Sequence, residues 1–528
     1  MLRLRVVASC SRAYASSSAA AALPDFNKTE ENGIAHVTSV NVRSGDRSIV
    51  QLRKKESQRV RRFKREYELP EEAISGLRQA LFDCKTSPKQ LQHEADQLHE
   101  RLSQRRFPAA PDVVKKAREQ IKKSLMKSSD RSEYDDILGD NKVKEAQEMD
   151  LRHKVNKMLK KTRYNWKPLE FETREAAAAY ALARLSQNYA EIARCLEELP
   201  SDFAPRSILD FGSGCGAGYW ATRENYPAAE EVCLVETSDH MTKMAMDIMR
   251  DEEGQLFDKK VHFRRHLLPS AQTTYDLVIG HRFLSEFGSF ETRMQTVEAL
   301  WARTNRYLIL VESALEDSFE ALLDVRDYLL TAGITVDKDA ALHLLEKRGL
   351  DSPSIRSLLH GRNLSDAERF DLLKEALPSD FRVPTLVDTA TVRAPCPHDL
   401  GCPLRGREAC SFHVRWKPHR ADGKKNSRGS DGTETGKFSF VILEKDARQT
   451  GEQIGRLLKI RKMSGHATCD VCTAFRGIQR MTVSKRAGKL YQAVKSRRDG
   501  EVFPLEMQTK ATEGMFDLYE YGKSSVEK

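Results

Sequence analysis

Five of the ten cysteines in this 528-residue chain fall in one C-terminal stretch, at Cys396, Cys402, Cys410, Cys469 and Cys472. The first three are spaced C-x5-C-x7-C, and the last two form a C-x2-C pair. In a reducing compartment, clustered thiols read as metal ligands before they read as disulfides. Four thiolates are what a [4Fe–4S] cluster takes, and Pro follows both Cys396 and Cys402, as it often does beside cluster ligands. Zinc is the alternative: Cys469 and Cys472 make a knuckle, and His398 and His413 could add nitrogen donors. The irregular spacing favours the cluster. If the segment around Cys469 is a strand, Cys469 and Cys472 point to opposite faces, so one of them reaches the metal. Cys472 is preferred as the fourth ligand, with Cys469 left open.

A second motif could bind a nucleotide-like cofactor. Asp210-Phe-Gly212-Ser-Gly214-Cys-Gly216 stands where an apolar run, SILDF, gives way to a helical pattern. Glycines there allow a tight turn and a close backbone approach to a ligand. An acid two residues before the first glycine is the S-adenosylmethionine form of such a loop. In that reading Asp210 holds the ammonium end of the methionine moiety, and Gly212, Gly214 and Gly216 floor the pocket. Glu236, ending the second strand, accepts from the ribose hydroxyls. Gly212-x-Gly214-x-x-Ala217 also satisfies a dinucleotide fingerprint, which keeps a cluster-bearing redox protein as a further reading. A P-loop is excluded, since no Gly-Lys-Ser/Thr follows. No catalytic residue can be nominated. The fourth strand runs into GHRFLSEF, without an Asp/Asn-Pro-Pro-aromatic sequence, and no strand ends in Pro-Cys. His281, Arg282 and Glu286 lie near the expected mouth and read as structural or surface groups.

Behind these motifs stands an α/β architecture. SILDF (207–211), EVCLVE (231–236), KVHFRR (260–265), YDLVIG (275–280) and YLILVE (307–312) alternate with helical segments, which implies a parallel sheet covered on both faces. The expected fold is a Rossmann-like S-adenosylmethionine-methyltransferase core with an N-terminal helical region, a cysteine-rich metal-binding insertion and a small C-terminal β module. Residues 1–25 carry Arg3, Arg5 and Arg12, many Ser and Ala, and no acid before Asp25, the composition of a mitochondrial transit peptide. Residues 26–165 read as a basic region, polar and unstructured to about 65 and helical after it. The core spans 166–395 and includes a helical insertion at about 316–385. The cysteine-rich segment spans 396–475, with an exposed insertion at 417–437 and one core strand, FSFVILEKD. Residues 476–528 form the basic β module and tail. Lys and Arg outnumber Asp and Glu by 87 to 77, a net charge of +10 that mildly favours anionic partners such as nucleic acid. No apolar run approaches the ~20 residues needed to cross a bilayer.

The stretches AYALARL, SILDFGSGCGAGYWA, LVETSDHM, LVESALEDSF, APCPHDLGCPL and GHATCDVC occur in an order that resembles the methyltransferase-like protein 17 family, assembly factors of the mitochondrial small ribosomal subunit. The resemblance covers roughly residues 165–500, and CPHDLGCPL combined with the glycine loop carries most of it. It implies a matrix protein that binds small-subunit rRNA, meets ribosomal proteins during assembly and supports mitochondrial translation. It also implies a [4Fe–4S] cluster on Cys396, Cys402, Cys410 and Cys472. The alternative is an active S-adenosylmethionine-dependent rRNA methyltransferase of the same subunit. This chain departs from the family pattern at Ser186, at Cys215 and at Ser313-Ala314, and it lacks the C-terminal Trp-Gly-Asp pattern.

Overall fold

The computed structural model describes residues 39–42, 50–52 and 63–507, excluding 109–110, 129–140, 161–165, 167, 252, 271, 362, 379, 425–431, 446–454 and 474–476. The expected transit peptide and residues 53–62 of the expected basic region lie outside the described residues. The strands are β1 (Ser39–Val42), β2 (Val50–Leu52), β3 (Ser207–Phe211), β4 (Glu231–Val235), β5 (Val261–Arg264), β6 (Tyr275–His281), β7 (Thr304–Ser313), β8 (Thr391–Ala394), β9 (Phe412–Trp416), β10 (Glu434–Glu444), β11 (Arg456–Lys462), β12 (His466–Thr473), β13 (Gly477–Ser484) and β14 (Leu505–Met507). The helices are α1 (Glu71–Phe82), α2 (Pro88–Ser103), α3 (Pro111–Ser128), α4 (Asn141–Lys160), α5 (Arg174–Leu196), α6 (Ala217–Asn225), α7 (Asp239–Ile248), α8 (Phe290–Ala302), α9 (Glu316–Ala332), α10 (Lys338–Arg348), α11 (Pro353–His360), α12 (Asp366–Ala376) and α13 (Lys489–Lys495).

The central sheet has the order β5-β4-β3-β6-β7-β10-β8, with β9 also paired to β10. The first five strands run parallel, while β10 is antiparallel to both β7 and β8. This is a methyltransferase-type arrangement: five parallel strands and one reversed strand slipped between the fifth and the edge. The expected parallel strands all form. FSFVILEKD enters the same sheet as β10, since Phe438, Phe440, Ile442 and Leu443 bury their side chains. Alternation fails along this strand because both faces of the sheet are covered.

Helix-start chemistry explains the boundaries. Ser87, Thr173, Ser238, Ser289 and Ser352 each accept the backbone N–H three residues on, and Ser365 closes a capping box with Glu368. Helix α5 is buried along nearly its whole length, from Ala177 to Leu196. It takes α2 on one side and the sheet on the other, so its polar residues, Glu191 included, lie inside the protein.

Three expectations change. The stretch 26–65 contains β1 and β2: β1 adds in parallel to β13, and β2 pairs with β14. A three- or four-residue strand completed by a distant sheet edge has no local pattern to show. The second sheet, β1-β13-β12-β11, runs from 456 to 484 across the expected boundary at 475. Its own apolar core, with Leu457, Val471, Met481, Val483, Val494 and Phe503, makes the stretch from 456 onward a unit. The expected insertion at 417–437 ends earlier, because β10 begins at Glu434 to pair with β9.

Candidate functional site

The glycine loop leaves β3 with Gly212 at φ +71°, Gly214 at +55° and Gly216 at +82°. L side chains are strained at such angles, which accounts for the three glycines. The N–H groups of Gly212 and Ser213 both donate to the Val235 carbonyl, folding the loop over the tip of β4. Asp210 is buried beneath the loop and accepts the backbone N–H of Gly218 in the first turn of α6. A Cβ on Gly218 would overlap that carboxylate, so Gly218 belongs to the site although the motif did not include it. Burial, and then the nearby Glu236, push the Asp210 carboxyl up to about 7. Its Oδ2 has no hydrogen-bond partner in the structure.

Glu236 accepts from the N–H groups of Gly214 at 3.0 Å and Ser238 at 2.9 Å. The methyl of Met241 and the ring of Tyr180 lie against Gly214, and Phe283 lies against Gly212. Asp210, the three glycines and Glu236 are therefore brought to one place. An orphaned buried carboxyl oxygen and a carboxylate at a strand tip, over a loop of left-handed glycines, suit an ammonium and a ribose diol. S-adenosylmethionine fits this set, with Glu236 exchanging loop N–H groups for hydroxyls.

At the end of β6, where a substrate would approach, the side chains are tied to one another. Glu191 on α5 is fully buried and accepts from Arg282 Nε at 3.1 Å, from a terminal nitrogen of Arg282 at 2.7 Å and from Gln187 at 2.8 Å. His281 Nε2 stands 2.9 Å from the same carboxylate. Burial opposes ionisation of Glu191, but Arg282 and His281 outweigh it and hold the carboxyl down at about 2. Arg282 has φ +54°, a conformation held by its N–H to the Val311 carbonyl at 2.7 Å and by Glu191. Glu286 is bound by Arg105 through two nitrogens at 2.9 and 2.7 Å and by the Leu169 N–H at 2.8 Å. Glu286 thus joins the core to the N-terminal helical region through Arg105, whereas His281 and Arg282 are tied to α5 within the core. Glu191 and Arg105 were not singled out in the sequence, because only a tertiary contact selects them from the many charged helix residues.

The thiols converge at a third place. Burial pushes the Cys402 thiol up to about 12, and Cys396 adds to this. Cys410 is raised by burial and then by Cys396 and Cys402, and Cys472 by burial and then by Cys396, Cys410 and Cys402. Cys472 Sγ lies 3.4 Å from Nε2 of the buried His398. Cys469 faces the other side of β12, packed with Ala467 and Met481, and its electrostatic neighbours are Asp470, Asp499 and Lys462. His413 is exposed on β9.

Among the described residues, no group of three or more His, Cys, Asp or Glu has the spacing to hold a metal ion. Cys402, Cys410 and Cys472 have neighbouring thiols close enough to disfavour their ionisation, but the set is not drawn in to ligand geometry. A donor set of four neighbouring thiols, one buried and three partly so, suits a cluster held by thiolates, whose negative charge Arg326 and Arg456 beside it would balance.

Arginines hold this region together. Arg326 on α9 donates to the carbonyls of His398 at 3.1 Å and Leu400 at 2.7 Å. Arg405, between Cys402 and Cys410, pairs with Glu320, Asp324 and Asp327 of α9. Arg456 pairs with Glu198 at 2.9 and 3.0 Å and donates to the Pro395 and Gly500 carbonyls. Arg405 stands inside CPLRGRE, within the cysteine motif, whereas Glu198 and Arg456 are 258 residues apart in the chain and carry no local signal.

Comparison with known proteins adds a lineage. The family described as mitochondrial small ribosomal subunit Rsm22 matches residues 174–339 and 376–504. The human mitochondrial ribosome assembly protein METTL17 is 24% identical over 424 residues, 79% of this chain and 78% of that protein. An Rsm22-cox11 tandem protein of Schizosaccharomyces pombe, also mitochondrial, is 25% identical over 375 residues, 63% of this chain but 44% of that protein. Among solved structures, magnesium protoporphyrin IX methyltransferase from Synechocystis covers 54% of this chain and 90% of its own at 13% identity, with a TM-score of 0.23. That superposition is too weak to argue from, and the fold rests on the strand order.

Proposed function

This mitochondrial chain belongs to the Rsm22 family, whose model spans more than half of it, and from that premise we propose that it is a non-catalytic assembly factor of the mitochondrial small ribosomal subunit, binding immature rRNA. The observation that carries this reading is the closed network at the end of β6. Glu191, His281 and Arg282 satisfy one another there, so none of these three is free to act as the acid or base of a methyl transfer.

The cationic rim of the C-terminal module supports RNA contact. Lys485, Arg486, Lys489, Lys495 and Arg498 are exposed around α13, a sequence-independent footprint for phosphates. Cys396, Cys402, Cys410 and Cys472 would hold a [4Fe–4S] cluster, zinc being the other candidate. When bound, the group supplies a cross-link between the 396–410 loop and β12. Arg326 and Arg405 anchor that loop to α9, and Arg456 anchors β11 to α5. Together they fix the RNA-facing module to the core. Asp210 and Glu236 would hold S-adenosylmethionine as a structural ligand.

Separating scaffold from enzyme takes a rescue experiment. Cells depleted of the chain are complemented with the wild type or with Glu236→Ala, and small subunits are measured by gradient sedimentation. Full rescue by Glu236→Ala is expected. Failure of rescue by a stably folded variant, together with loss of an rRNA methyl mark, would instead establish the methyltransferase.

A further inference from the structure

A cleft of about 820 Å³ opens between α2 and the segment that leads into α5. Its size is that of a small-ligand site. Arg101, Arg105 and Arg106 line one side, and Trp166, Glu170 and Phe171 the other. The cleft also adjoins the cofactor loop. The Phe171 carbonyl accepts from Ser238 Oγ at 3.4 Å, two residues beyond Glu236, and Leu169 binds Glu286 just past β6. In an open α/β sheet this edge, beyond the carboxyl ends of the strands, is where ligands bind.

The indole is held in position. Trp166 Nε1 donates to the Ser285 carbonyl at 3.0 Å, the outer edge of its six-membered ring abuts Gly288, and the Arg105 guanidinium sits 5.8 Å from its centre. Arg105 is itself fixed by Glu286, whereas Arg101 and Arg106 are exposed at the rim. A rigid aromatic plane beside two solvent-facing guanidiniums, with a carboxylate able to accept from an exocyclic amine, is the chemistry of an unpaired nucleotide. A base paired inside a duplex cannot offer its face to the indole.

We propose that this cleft takes one unpaired base of single-stranded RNA, stacked at Trp166 with its phosphates at Arg101 and Arg106. The proposal rests on the RNA-binding reading above and deepens it by naming the RNA feature and its site.

Tryptophan fluorescence tests it directly. Of the four tryptophans, Trp220, Trp301 and Trp416 are buried, which leaves Trp166 as the accessible one. The full mature chain is titrated with a single-stranded RNA of about twelve nucleotides, spanning a typical single-strand site, and with a fully paired hairpin. Mobility shift is followed in parallel. Quenching by the single strand but not by the hairpin is expected. Trp166→Ala, and separately the surface pair Arg101→Ala/Arg106→Ala, should bind the single strand about tenfold more weakly. The arginine pair keeps the test valid if the tryptophan variant folds poorly. RNA binding by mobility shift without quenching, or equal quenching by the hairpin, would overturn the cleft and leave the RNA reading standing. No binding of either RNA would remove both.

Discussion

Replacing Glu198 with Ala should loosen the C-terminal module from the core without unfolding the core. Glu198 and Arg456 are each only 6% exposed, and Arg194 shares the same carboxylate at 2.9 Å. Burial disfavours the Glu198 charge, yet Arg456 and Arg194 hold its carboxyl below the usual range. Deleting the acid strands two buried guanidiniums, and breaking a buried pair from one side costs about 3–5 kcal/mol. Arg456 is the first residue of β11, and its other donors grip the carbonyls of Pro395 and Gly500. The cost therefore falls on opening of the 456–484 sheet. At about 1.4 kcal/mol per decade, the opening constant rises from roughly 10²-fold to several thousandfold. Amide hydrogen exchange would show faster exchange in β11, β12 and β13, with β3, β6 and β7 still protected. Unchanged protection in β11–β13, or an equal loss across the central sheet, would refute this account of the joint.

Three further outcomes follow from the same structure. Gly76→Ala would drive a methyl into the Ile248 carbonyl where α1 crosses α7; about 1–3 kcal/mol of overpacking should appear as faster proteolytic release of the N-terminal helices, and an unaltered digestion pattern would contradict the close crossing. Asp210 and Glu312 both hold their protons to about 7, burial being the main cause, against 3.8 and 4.5 for ordinary side chains. A raised carboxyl pKa stabilises the fold below about pH 4, and that contribution is lost as pH rises through 7. Asp210→Asn should therefore melt higher than the wild type at pH 8 and close to it only near pH 4, and the reverse order would exclude a buried neutral Asp210. Anaerobically purified Cys472→Ser should lose iron and sulfide while Cys469→Ser retains them, since only Cys472 shares a face with the other three thiols; equal metal content in both would rule out the assignment of ligands.

The parallel strands and the glycine loop were legible because their signals are local: short apolar runs, helix caps, and glycines where φ must be positive. The reversed strand β10 was also visible as a strand, though not its place beside β7, which only pairing decides. Asp210 was read as a ligand-facing acid. The structure gives it a second role at the first turn of α6, which makes Gly218 as constrained as the motif glycines. Cys469 and Cys472 fall on opposite faces of β12, as alternation along a strand requires, one on a core and the other toward the thiols. What could not be read were contacts between distant segments, namely Glu198 with Arg456, Arg105 with Glu286, Glu191 with Arg282, and the pairing of β1 with β13. Charged residues are common in this chain, and nothing in their spacing distinguishes those that a fold will bury from those it leaves in water.

The central claim is that the chain acts in building the small subunit of the mitochondrial ribosome. Its most direct test is gradient sedimentation of mitochondrial ribosomes after depletion of the chain, with mitochondrial protein synthesis followed by pulse labelling. The account predicts a selective loss of small subunits, with large subunits retained and synthesis reduced in proportion. Normal small-subunit levels after complete depletion would contradict it.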